Sequence, residues 1–163
     1  MSNIPPPGNW ANYPRPGLGP NAATLRLLAD GYFGLNTVFI LNVLLNIVTN
    51  SMARSKDPSL GLLIGLIAIT FILVLVLTLP HNKKIGEGLG WSSSGHIVAS
   101  SLMALNSAIC CGIIGYVVVQ SMAAKKFKEA GAPRGFFGYK KVELYAFIDQ
   151  LGMQNPAPPT GPI

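Results

Sequence analysis

The 163-residue chain is half apolar, and only 11% of its residues are charged, against about a quarter in a soluble globular domain. Three long stretches, 31–53, 58–80 and 88–124, contain no Asp, Glu, Lys or Arg. Residues 62–79 (LLIGLIAITFILVLVLTL) have no charged face on any side, which argues against a soluble helical bundle.

Residues 1–20 hold six prolines and three glycines and are expected to be a disordered tail. They lack a basic segment followed by an apolar one, so the first helix is expected to act as its own insertion signal. From 21 to 130 the pattern predicts a transmembrane domain with spans over about 32–51, 59–79 and 95–121. Asn21 is placed to cap a lead-in helix that bends at Gly31 or Gly34 into the first span. Asp57 and Pro58 suit the cap and first position of the second span, and Pro80 follows it. His81 to Gly90 reads as a polar connection, Trp91 as an interfacial anchor, and Ser92, Ser93 or Ser94 as the next cap.

The third span is expected to leave the membrane as a basic extension carrying Lys125, Lys126 and Lys128, stopping at Gly131 before Pro133. Residues 131–152 then combine Arg134, Phe136, Phe137, Lys140 and Lys141 with an amphipathic helix. Val142, Tyr145, Ile148 and Leu151 form the apolar face of that helix, which is expected to lie on the bilayer surface. Residues 153–163 form a second disordered tail. The predicted fold is an all-α integral membrane protein with three transmembrane helices, a C-terminal interfacial helix and Pro-rich tails. Three spans put the chain ends on opposite sides. Eight basic residues against four then favour a C-terminus on the cytoplasmic-type side.

Asn36, Asn42, Asn46 and Asn50 lie on one helix within an arc of about 120°. Unpaired amides are costly in hydrocarbon, so this face is expected to meet another helix or to line a polar path. Its expected partner is a face of the third span comprising His96, Met103 and Asn106. Opposite that face run the small residues Ala104, Ala108, Gly112 and Gly115, expected to receive Gly61, Gly65 and Ala68 of the second span.

His96 is the one candidate axial ligand for a cofactor. Two histidines without Cys, Asp or Glu at ligand spacing make a poor metal case, so no metal or resident cofactor is expected. The stretch 90–95 (GWSSSG) does not match a nucleophile elbow, and no paired carboxylates or phosphate loop point to an enzyme. The +6 net charge lies beside apolar and aromatic residues, which favours anionic headgroups over nucleic acid. Three functions fit: an accessory or scaffold subunit of a larger membrane complex, a homo-oligomeric channel or carrier lined by the Asn face, and a haem- or pigment-binding subunit.

Overall fold

The structure, a computed structural model, describes residues 21–54, 59–110, 113–135 and 138–154, with 108–110 by backbone alone. Residues 1–20 and 155–163 of the expected tails, Asp57, Pro58, Gly112, Phe136, Phe137 and the Ala108 side chain lie outside this description, while Met153 and Gln154, assigned to the second tail, continue α5 as helix. The described chain is helical: α1 (Ala22–Ala53), α2 (Leu60–Leu89), α3 (Gly95–Cys110), α4 (Ile113–Glu129) and α5 (Lys141–Gln154). Two of these helices, α1 and α2, are long and apolar enough to cross a membrane. Their most apolar stretches are only 22% and 11% buried, unlike the core helices of a soluble protein.

α1 starts where its cap dictates: the Asn21 side chain accepts from the Thr24 amide at 2.7 Å. It continues without interruption for 32 residues, about 48 Å at 1.5 Å per residue. α2 starts at Ser59, whose side chain accepts from Leu62 N at 3.5 Å. Contrary to the expected connection at 81–90, α2 includes Pro80 and runs on to Leu89. The glycines there serve packing: a Cβ on Gly88 would sit 2.5 Å from Leu28 Cγ, so Gly88 lets α1 approach. The helix ends at Gly90, in the left-handed region at φ 71°, where Trp91 N donates to Gly86 O at 2.8 Å.

The long third helix is replaced by a hairpin. α3 and α4 pack side by side, with Met103 Cγ 2.9 Å from where a Gly115 Cβ would stand. α4 runs antiparallel to α1, since Phe127 meets Tyr32, Gln120 meets Asn36 and Tyr116 meets Phe39. α3 descends along α2, where Asn82 Nδ2 donates to Ser100 Oγ at 2.9 Å. The physical reason is length: a continuous helix over 95–121 would be about 40 Å long, well beyond a core of about 30 Å. Folded back, the segment buries Tyr116 and Met103 to 1% exposure.

α5 also departs from expectation. It stands along the first turns of α1, antiparallel to it, rather than presenting its whole apolar face to a bilayer. Leu144 and Ile148 are buried, Phe33 stacks on Tyr145 at 6.1 Å, and Tyr145 donates a hydrogen bond to Asp30. Arg26 pairs with Asp149 at 3.3 Å, a surface contact contributing at most about 1 kcal/mol. Before α5, Gly131 at φ 81° closes α4 where expected, with Ala132 N donating to Phe127 O at 2.9 Å.

The start of α1, the end of α2, the start of α3, the end of α4 and all of α5 gather at one end of the bundle. This is the near end, and its core holds Leu25, Leu28, Leu35, Ile85, Phe127, Tyr139 and Leu144. The opposite, far end is the turn between α1 and α2. The start of α1 and the end of α5 therefore lie at the same end of the bundle.

The Tyr145 contact sets an alkaline limit on α5 docking. Burial, the hydrogen bond to Asp30 and the Asp30 charge all push the phenol upward. A raised value in the folded state means its contribution is complete below the ordinary tyrosine value of about 10. It is lost as pH rises through the folded value. Tyr145→Phe is expected to remove a late step from a spectrophotometric tyrosinate titration. The same variant is expected to loosen α5 by about 1.5 kcal/mol, the low end for a bond to a charged group, since both groups are partly exposed. An unchanged titration would show that Tyr145 ionises freely and does not hold α5.

Candidate functional site

Because the α3–α4 hairpin is short, the bundle has two regions of different thickness. Val43 and Ile113 line the same groove, which places the start of α4 about two-thirds of the way along α1. Beyond that level α1 and α2 continue as a bare pair. No described residue of α1 after Asn42, or of α2 before Thr70, is fully buried. The groove above the tip is about 510 Å³ and is lined by Val43, Asn46, Ile47, Asn50, Ser51, Arg54 and Ile113.

The asparagines divide between the two regions. Asn36, in the thick part, accepts from Gln120 Nε2 at 2.7 Å, a bond between α1 and α4. Asn42 is fully buried. Asn46 Nδ2 donates to Asn42 O at 2.9 Å and to Asn42 Oδ1 at 3.1 Å, and Asn50 Nδ2 donates to Asn46 O at 2.8 Å. Thr49 and Ser51 likewise bond back to Leu45 O and Ile47 O. Short polar side chains bond to carbonyls one turn earlier, so in the groove much of the donor capacity is spent on the helix itself. Asn46 is half-buried, and Asn50, Ser51 and Arg54 are exposed along the groove.

Asn106 does not receive this face. It is half-buried on α3, and α1 has no substantial packing against α3. Nor do Gly61, Gly65 and Ala68 meet the small residues of α3. Among the described residues nothing lies within 4 Å of a Cβ on Gly61 or Gly65, and Ala68 is exposed on the thin part of α2. Ala104 is fully buried in the thick part, and Gly115 serves contact within the hairpin.

A second polar cluster, not anticipated, joins α2 to the hairpin. Asn82 is fully buried and donates to Ser100 Oγ and, at 3.2 Å, to Met103 Sδ. Ser107 Oγ donates to Met103 O at 2.7 Å, so it has no hydrogen left for the neighbouring Tyr116 hydroxyl. Asn82 was missed because it lies in the stretch read as a connection. The buried polar residues Thr78 and Thr70, four and twelve residues before it on the same helix face, were the available signal.

His96 is partly exposed in the first turn of α3, and His81 packs its ring over Gly34 between α1 and α2. No group of three or more potential metal ligands occurs among the described residues. Trp91 covers Gly86 and Gly95 at the near end. Lys126 pairs with Glu129 and Lys140 with Glu143, both at 2.8 Å, while Lys125, Lys128, Arg134 and Lys141 are exposed.

Comparison with protein-family models, with curated proteins and with solved structures finds no match for this chain.

Proposed function

We propose that the chain is a multi-pass membrane protein acting as an accessory or scaffold subunit, its bundle completed by a segment of another subunit. The observation that carries this reading is the groove above the hairpin tip. It is lined by Asn46, Asn50 and Ser51 along the part of α1 whose neighbour α2 exposes Leu62, Ile64, Ile67 and Ile69, with Arg54 at its far end. Exposed apolar residues suit lipid, whereas amide and hydroxyl groups along that groove favour a protein partner with hydrogen-bonding side chains. A channel lined by the Asn face has less support, because Asn46 and Asn50 turn their amide hydrogens onto α1 itself.

Exposed large apolar residues run from Ile40 to Val48 on α1, Leu60 to Val76 on α2, Ile97 to Leu105 on α3 and Ile113 to Met122 on α4. On α2 that belt is about 25 Å tall, close to a bilayer core. Nine of the 12 Lys and Arg residues lie at the near end, and Arg54 and, in sequence, Lys56 adjoin the far end. This bias orients the near end, with the start of α1 and the end of α5, toward the cytoplasmic-type side. No catalytic role is assigned.

The test is native mass spectrometry of the tagged protein released gently from its own membrane. A foreign subunit is expected in the spectrum, and Asn50→Trp, which fills the groove, is expected to remove it at unchanged thermal stability of this chain. A homo-oligomer lost in the same variant would make the partner a second copy. Monomer alone from an otherwise intact membrane extract would overturn the reading.

A further inference from the structure

Between α1, α2 and α5 lies a second cavity of about 300 Å³, lined by Asp30, Phe33, Gly34, Thr37, Lys84, Lys141 and Tyr145. This is the lower end of the size range for small-molecule pockets. We infer that it binds an anionic phosphate ester, the headgroup of a phospholipid in the leaflet at the near end.

The position of the cavity favours a lipid. Thr37 is three residues, about 4.5 Å, from Ile40, where the exposed apolar belt of α1 begins. The cavity then extends along α1 as far as Asp30, about 10 Å further out. A headgroup layer is about 5–7 Å deep on each side of the hydrocarbon, so the inner end of the cavity, at Thr37, falls within it and the Asp30 end lies at its outer edge or beyond.

The charge suits a phosphodiester. Asp30 is held by Lys84 at 3.2 Å and by the hydrogen bond that Tyr145 donates, so its carboxylate does not face the cavity as an unpaired anion. Lys141, at the start of α5, makes no ion pair among the described residues. Two ammonium groups and one carboxylate give the lining a net charge of +1, matching the single negative charge of a phosphodiester. The Phe33 ring, stacked on Tyr145, forms part of the wall between Asp30 and Thr37. The docking of α5 is what completes the site, since that helix brings both Lys141 and Tyr145.

The inference rests on the membrane reading, and alkaline carbonate extraction tests that reading separately: release of the protein without detergent would overturn it. For the site itself, protein purified in an uncharged detergent is titrated with short-chain phosphatidylglycerol and followed by native mass spectrometry. Phosphatidylcholine and glycerol phosphate are titrated in parallel. Phosphatidylglycerol is expected to bind at one site, and Lys141→Gln is expected to weaken it about five-fold, the effect of one charge near a membrane surface. Lys128→Gln, away from the cavity, is expected to leave binding unchanged. Saturation by glycerol phosphate at similar concentration would keep the phosphate site and make its ligand a soluble ester. Equal binding of phosphatidylcholine, or unchanged binding in folded Lys141→Gln, would overturn the inference.

Discussion

Gly31→Val is expected to force α1 and α2 apart at the near end and to destabilise the bundle by an amount near the top of the usual range of about 1–3 kcal/mol for overpacking. A Cβ at Gly31 would stand 2.5 Å from Ile85 Cγ1 and 2.8 Å from the His81 carbonyl oxygen. The isoleucine can rotate. The carbonyl belongs to α2 and cannot yield unless the helix shifts. Leaving glycine for a better helix former returns at most about 1 kcal/mol, too little to offset the displacement of a helix. Gly61→Val makes the matched control, because nothing lies within 4 Å of its Cβ. Thermal unfolding in a mild detergent is expected to drop clearly for the first variant and to stay level or rise slightly for the second. Equal midpoints would mean that the near-end contact of α1 and α2 is looser than described.

Phe127→Ala is expected to cost about 3–5 kcal/mol, the range for removing a fully buried aromatic side chain. Its ring meets Tyr139 at 5.1 Å and Tyr32 at 5.8 Å, both edge-on, and its carbonyl accepts the bond that closes α4. These contacts tie the end of α4, the link to α5 and the first half of α1 into one unit. The loss is expected to appear first as hydrogen exchange in α5 and in the link before it. Ile114→Ala, on the same helix but 69% exposed, is expected to leave exchange unchanged. A uniform rise across α1 to α4 with α5 still protected would show that the near end is not a distinct unit.

The helix ends show what the sequence reveals and what it conceals. The start of α1 at Asn21 and the stop of α4 at Gly131 were legible, because each depends on one residue satisfying neighbouring backbone groups. The end of α2 was not. Pro80, Gly86 and Gly88 resemble breakers, yet Gly86 and Gly88 are there because Trp91 and Leu28 press on them, a fact of packing alone. The hairpin of α3 and α4 was concealed by uniform apolarity, although the length of the uncharged run already exceeded one span. Of the site, the Asn face was legible as a periodic pattern. That Asn36 bonds Gln120 while Asn46 and Asn50 bond their own helix depends on where α4 folds back. The cavity at Asp30 was invisible, because α5 completes it from more than 100 residues away.

The hairpin has a consequence for how the protein is made. In the proposed orientation, the one stretch of backbone that must be carried to the far side is the six-residue link 54–59, with Arg54, Lys56 and Asp57 as its charges. Translocation is then a single event, completed when α1 and α2 enter together. The α3–α4 pair arrives later and inserts from the side on which it was synthesised, into a slot whose wall the first pair already provides. Neither end of that pair ever crosses, so it needs no stop or start signal of its own, and the 16 and 17 residues of its helices need not match the thickness of the bilayer.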